Sequence, residues 1–299
     1  MTSAPVSPFG LATSTIPLAN LNGEMMPLTE AKVPVLDRGY LFGDGIYEVL
    51  RVYGGKPWLE EEHFARLARS LDEVKIRGVD LNRLRQRWRE TLAKSGHAEA
   101  TIYIQVTRGV APRAHAFPAT ATPTELIWVQ EYRDGYDDLR AHGASVILFP
   151  DVRWDRCDIK SLNLLGNVMA AQAAKEAGAI EAVLYLPDGT LTEASHSSFC
   201  WVRDGVVYGT PNSPAILPGT TRSRTAKLAA QAGVPFAEGT LRRDELSTVD
   251  ELLLAGTTME VMPVVRVDGK TVCGGKPGPA TRKLQDAYRA AVREFLAGK

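Results

Sequence analysis

"RCDIKSLNLLGN", residues 156–167, carries the lysine on which the reading of this chain turns. Lys160 stands between Ile159 and Ser161, ahead of a stretch whose spacing predicts a helix over 161–177. That helix would put Leu162, Leu165 and Met169 on one side and end before Gly178. A lysine that acts as nucleophile or base must lose its proton near neutral pH, from an ordinary pKa of about 10.4. Apolar flanks push in that direction. The chain has 35 basic residues, so a solvated surface lysine is the plain alternative.

Other segments supply possible company for it. In "GTLTEASHSSF" (189–199), Glu193 interrupts a strand pattern among small polar residues, where a carboxylate can keep a heteroaromatic nitrogen protonated; a solvated turn is the alternative. "LPGTTR" (217–222) opens a helix and "AGTTME" (255–260) ends a strand, each with Gly before two threonines. Backbone N–H groups at a helix start, with hydroxyls, make a phosphate cradle, although threonine is also an ordinary N-cap. Arg66 in "HFARL" lies off the apolar stripe of its helix, and an arginine can grip phosphate with two N–H groups. "TRGVAPRAHAFP" (107–118) places Arg113 two residues from His115, on one side if the loop is extended, as a trap for a carboxylate.

The chain is 299 residues long with 44% hydrophobic and 23% charged residues, which predicts two soluble domains. We divide them as 1–133 and 134–299, with 133–143 as a polar linker. Net charge is zero, giving no electrostatic case for nucleic acid or an anionic membrane. No apolar run is long enough to span a bilayer. The first 23 residues carry no charge and lack the basic flank of a signal peptide, so they read as a loose leader running into the first strand. Three scattered cysteines offer neither a disulfide framework nor zinc spacing; no metal is expected, and a reducing cytoplasm is the default.

Asn22-Gly23 predicts a hairpin, and strands are expected at 46–55, 101–109, 125–132, 144–150, 181–187, 197–203 and 251–258. Helices are expected at 61–78, 80–95, after 222 and at 279–297. Hairpin signals between strands predict an α+β fold with antiparallel-rich sheets over a doubly wound parallel one. There is no GxGxxG and no GxxxxGK[ST].

Seven blocks in order, "DRGYLFGDGIYEV", "HFARL", "QVTRGVAPRAH", "RCDIKSLNLLGN", "LTEASHSSF", "ILPGTTR" and "GTTMEVMPV", resemble the fold type IV pyridoxal-phosphate enzymes, and within them the bacterial D-amino-acid aminotransferases. The resemblance runs from about residue 20 to the C-terminus. It implies a small α/β N-terminal domain and a larger pseudo-barrel C-terminal domain. It implies that Lys160 forms the Schiff base with pyridoxal 5'-phosphate and that Glu193 pairs with the pyridine nitrogen. Arg66, Ser195, His196, Thr220, Thr221 and Thr257 would hold the phosphate, with Leu217 against the ring. Tyr47, Arg113, His115 and Thr258 would receive the substrate carboxylate, and Arg51 an acidic side chain. Substrates would be D-alanine or D-glutamate with 2-oxoglutarate or pyruvate. A homodimer is implied, its Arg113–His115 loop reaching the neighbouring site. Ala194, His196 and Ser198 depart from the Gly, Ser and Asn usual in the family.

Sibling readings are a branched-chain L-aminotransferase, an (R)-amine transaminase and an aminodeoxychorismate lyase. A non-catalytic interaction protein on the same fold is the reading from another class. Arg113 and His115 favour D-amino acids; intact Lys160 and Glu193 favour catalysis.

Overall fold

The computed structural model describes residues 16–298, so the leader read into residues 1–15 lies outside the described residues. Contacts divide the chain into two compact units. One runs to Arg133 and also takes in Ile159–Asn163; the other holds Asp134–Asp158 and everything from Leu164 onward. A single boundary near 133 does not anticipate that the lysine segment groups with the first unit.

The first unit is a six-stranded antiparallel sheet in the order β2-β1-β6-β5-β3-β4. Its strands are β1 (Leu18–Leu21), β2 (Glu24–Pro27), β3 (Gly45–Tyr53), β4 (Lys56–Pro57), β5 (Ala100–Thr107) and β6 (Thr124–Glu131). The expected hairpin joins β1 to β2, with Asn22 and Gly23 both at positive φ. Helices α1 (Arg38–Phe42), α2 (Glu60–Glu73) and α3 (Leu81–Ser95) complete it. Period-two alternation sends Ile46, Leu50, Ile102, Ile104, Ile127 and Val129 into a core with Leu67, Leu84 and Trp88. The opposite face carries Tyr47, Tyr103 and Trp128 in a stacked row.

Helix α2 stops before the expected Gly78. Lys75 turns left-handed, and the carbonyls of Val74 and Lys75 accept from the Arg108 guanidinium at 2.7 and 2.9 Å. A long-range arginine therefore satisfies the end that local pattern left open.

The second unit is a nine-stranded sheet in the order β12-β11-β10-β13-β14-β7-β8-β9, with β15 on β14. Its strands are β7 (Ala144–Pro150), β8 (Glu181–Tyr185), β9 (Leu191–Ala194), β10 (Ser198–Arg203), β11 (Val206–Gly209), β12 (Phe236–Glu238), β13 (Glu251–Gly256), β14 (Glu260–Val267) and β15 (Lys270–Thr271). Pairing is antiparallel except at β11–β12, β14–β7 and β7–β8. The sheet curls until Thr210, just past β11, donates to the Thr192 carbonyl on β9 at 2.9 Å. This is the antiparallel-rich α+β architecture and pseudo-barrel expected.

Four helices pack on that sheet: α4 (Asp137–His142), α5 (Leu165–Glu176), α6 (Thr220–Gln231) and α7 (Pro279–Leu296). The expected linker at 133–143 is thus a correction, because it folds as α4 with Tyr136 and Arg140 buried. Asp137 and Asp138 at its start and Arg140 and His142 at its end match the helix dipole. Polarity that looked like a linker is helix-terminal charge. Helix α5 also begins later than expected, and Leu162 is outside it. Leu165 and Met169 are exposed, while Ala170 and Ala174 bury against Ala182 and Leu184. Small residues let this helix sit close to its sheet. Among the described residues, no helix is long and apolar enough to cross a membrane.

Candidate active site

In the first unit, Ile159–Asn163 lies as a strap along the open edge of β3. Tyr47 N donates to the Lys160 carbonyl and Leu162 N to the Gly45 carbonyl, both at 3.0 Å. Glycine at 45 permits that approach: a Cβ there would stand 2.8 Å from Leu162 Cδ1 and 2.7 Å from the Val106 carbonyl. The strap delivers Lys160 half-buried, its Nζ 4.2 Å from the centre of the Tyr47 ring. Among the described residues Lys160 makes no ion pair.

One residue along β3, on the core face, Glu48 is 1% exposed. It accepts from Arg66 Nε at 2.7 Å and Nη2 at 2.8 Å, and lies 2.7 Å from His63 Nδ1. Burial works to raise the Glu48 carboxyl, but Arg66 and His63 hold it far below the usual carboxylate range. Arg66, the phosphate candidate on α2, is thus fixed by this buried pair.

Arg113 and His115 are exposed on the loop after β5, and both approach Phe42. The guanidinium stands 5.5 Å and the imidazole 5.6 Å from the centre of its ring. Arg51 is buried elsewhere on β3, bonded to Glu99 and to the Val52 and Ala100 carbonyls, between the rings of Tyr53 and Tyr132.

In the second unit, Glu193 is buried on β9, and its Oε1 accepts from Leu217 N at 3.1 Å. Arg153 donates to the same oxygen, and its Nε and Nη2 donate to Asp151 at 3.0 and 2.8 Å. Ser195 and Ser197 donate their hydroxyls to Glu181, which is fully buried on β8; His196 Nδ1 lies 2.8 Å from it. Asn167 on α5 donates to the Ser195 carbonyl at 2.7 Å. Thr220 and Thr221 are the first two residues of α6, whose N-cap, Gly219, provides no side-chain cap. A Cβ at Gly219 would overlap the Ser198 hydroxyl. Thr257 and Thr258 are half-buried in the turn from β13 to β14.

Arg153, Glu181, Glu48 and His63 were not read from the sequence. The available signal was weak: an Asp-x-Arg pair after a buried strand, and single charges inside strand or helix patterns.

Pyridoxal 5'-phosphate asks for an amine outside an ion pair, an anion for its ring nitrogen, and donors for its phosphate. For the first the chain offers Lys160, and for the second the buried carboxylate of Glu193. The uncapped start of α6, with two buried threonines, is the third. The residues fit the group.

The family model for class IV amino-transferases matches residues 45–267. A D-alanine aminotransferase of Staphylococcus aureus (strain COL) is 43% identical over 277 residues, covering 91% of this chain and 96% of that one. A branched-chain amino acid aminotransferase of T.th., solved with pyridoxamine 5'-phosphate, superposes with a TM-score of 0.87 at 25% identity, covering 93% of this chain and 94% of that one. The 4-amino-4-deoxychorismate lyase of Pseudomonas aeruginosa gives 0.81 at 28%, covering 91% and 98%.

Proposed function

The chain belongs to the class IV aminotransferase family, and from that premise we propose that it moves an amino group between a D-amino acid and a 2-oxo acid, with pyridoxal 5'-phosphate as cofactor. The observation that carries the chemistry is the Lys160 amine, half-buried over the Tyr47 ring and outside any ion pair among the described residues. Lys160 would hold the cofactor through this amine and, when the amine is free, would take the proton from Cα of the amino acid. When bound, the cofactor supplies an electron sink for the pair left by that proton.

Glu193 would keep the pyridine nitrogen protonated, with its carboxylate held in direction by the Arg153 guanidinium. Thr220 and Thr221, the α6 N–H groups, Thr257, Ser195, His196 and Arg66 would hold the phosphate, and Leu217 would pack against the ring. Tyr47, Arg113, His115 and Thr258 take the substrate carboxylate. Both half-reactions use the same residues, so the kinetics are ping-pong. Preference for the D hand is supported by the 43% identity to a D-alanine aminotransferase, against 25% for the branched-chain structure. A homodimer, with the Arg113–His115 loop reaching the neighbouring site, and a cytoplasmic location complete the reading; light scattering tests the dimer.

The deciding assay offers D-alanine and L-alanine separately with 2-oxoglutarate. D-alanine should turn over, and L-alanine at least about a hundredfold more slowly, on the order of 3 kcal/mol of discrimination. Faster turnover of L-leucine or L-valine than of D-alanine would move the protein to the branched-chain reading.

A further inference from the structure

We propose that Arg38 is a positioning residue for the substrate carboxylate, holding the Arg113–His115 loop in its working shape; this rests on the reading that the loop binds that carboxylate. Arg38 opens α1 and is 3% exposed. Its guanidinium is used on nearly every edge. Nη1 donates to the Ala114 carbonyl at 2.6 Å and the Ala116 carbonyl at 3.4 Å, and Nη2 to the His115 carbonyl at 3.2 Å. Nε donates to Asp44 at 2.7 Å. Three consecutive carbonyls are therefore gathered by one planar cation, and the side chains on either side of Ala114 are those of Arg113 and His115.

The clamp has further parts. The Arg38 guanidinium lies 4.9 Å from the centre of the Phe42 ring, which also contacts Arg113 and His115. Asp44 accepts two bonds from Arg108 at 2.9 Å, and Arg108 stacks on Phe117 at 3.6 Å. One carboxylate thus anchors two arginines, one on the loop's backbone and the other on its last ring. Lysine cannot replace Arg38, because an ammonium has no fork to span three acceptors.

Arg38→Lys keeps the charge beside Asp44 and releases the carbonyls. KM for D-alanine and for 2-oxoglutarate should each rise about tenfold or more, kcat should fall less than about threefold, and cofactor absorbance should be unchanged. Amide exchange over 110–118 should quicken in the same variant. Should that variant fail to fold, Phe42→Leu must raise both KM values at least about threefold. Unchanged KM or unchanged loop exchange in folded Arg38→Lys overturns the inference, as does a fall in kcat with loss of cofactor. Absence of D-alanine turnover in the unsubstituted protein overturns the proposed reaction itself, which separates the two failures.

Discussion

Tyr47 meets Lys160 twice: its backbone N–H donates to the lysine carbonyl at 3.0 Å, and its ring lies 4.2 Å from the lysine amine. The main-chain bond sets where the lysine leaves the strap, and the ring sets where its amine rests. Lys160→Ala should abolish visible absorbance from bound cofactor and lower turnover by several orders of magnitude. A variant with the spectrum and rate of the parent would show the assignment to be wrong.

Arg153 is the counter-charge of Glu193 and of Asp151 in a buried cluster. Removing one member of such a group leaves a charge stranded, at roughly 3–5 kcal/mol of stability. Arg153→Met should lower the urea midpoint accordingly. With Glu193 no longer held, Cα proton removal should slow, seen as a larger deuterium isotope effect with α-deuterated D-alanine. A stable variant with the parent's isotope effect counts against the role.

His63 provides a pH test. Burial, the largest influence, lowers its pKa; Glu48 pulls it up, and Arg66 and Lys160 push it down, leaving it below its ordinary value. The folded protein thus binds the His63 proton less readily than the unfolded chain. Its contribution to stability is fully present above the unfolded value of about 6.5 and is lost as pH falls through the lower folded value. Denaturation midpoints should decline below about pH 6.5, and His63→Gln should flatten that decline. The half-buried Asp44 and Asp151, held below the usual carboxylate range against burial by their arginines, add a further loss deeper into acid. An identical slope in His63→Gln would exclude this histidine.

Arg51 tests side-chain preference. Its expected role is to favour acidic substrates, yet its guanidinium is bonded to Glu99. D-glutamate would have to compete with that carboxylate, whereas D-alanine need not. Glu99→Gln should therefore raise kcat/KM for D-glutamate relative to D-alanine by about threefold to tenfold. If the ratio does not move, Arg51 serves the fold alone.

Lys160 and Glu193 stand out in the sequence because each sits in an ordered block with chemical company, and the structure finds the first half-buried and the second buried. The hairpin at Asn22-Gly23 and the α3 boundaries at Asp80 and Gly96 were legible because their signals are local. The misses share another cause. Pattern reading treats a charge as facing water, yet Glu48, Arg153 and Glu181 are held by partners remote in sequence. The early end of α2 depends on Arg108, which follows Lys75 by 33 positions. The four residues of β9 are buried throughout and show no alternation to mark a strand. Helix α5 reversed its expected face because alanines, not leucines, give the closest approach to β8.

The strap on β3 bears on biosynthesis. The first 133 residues hold every strand of the antiparallel sheet to which Lys160 is tied, yet the strap Ile159–Asn163 comes from further along the chain. During vectorial synthesis, β3 can assemble with its partners while its outer edge still waits for residues not yet translated. Chemical competence therefore trails architectural completion. A nascent chain stalled before Lys160 holds all six strands of the sheet, but it lacks the bond pair that seats the lysine amine.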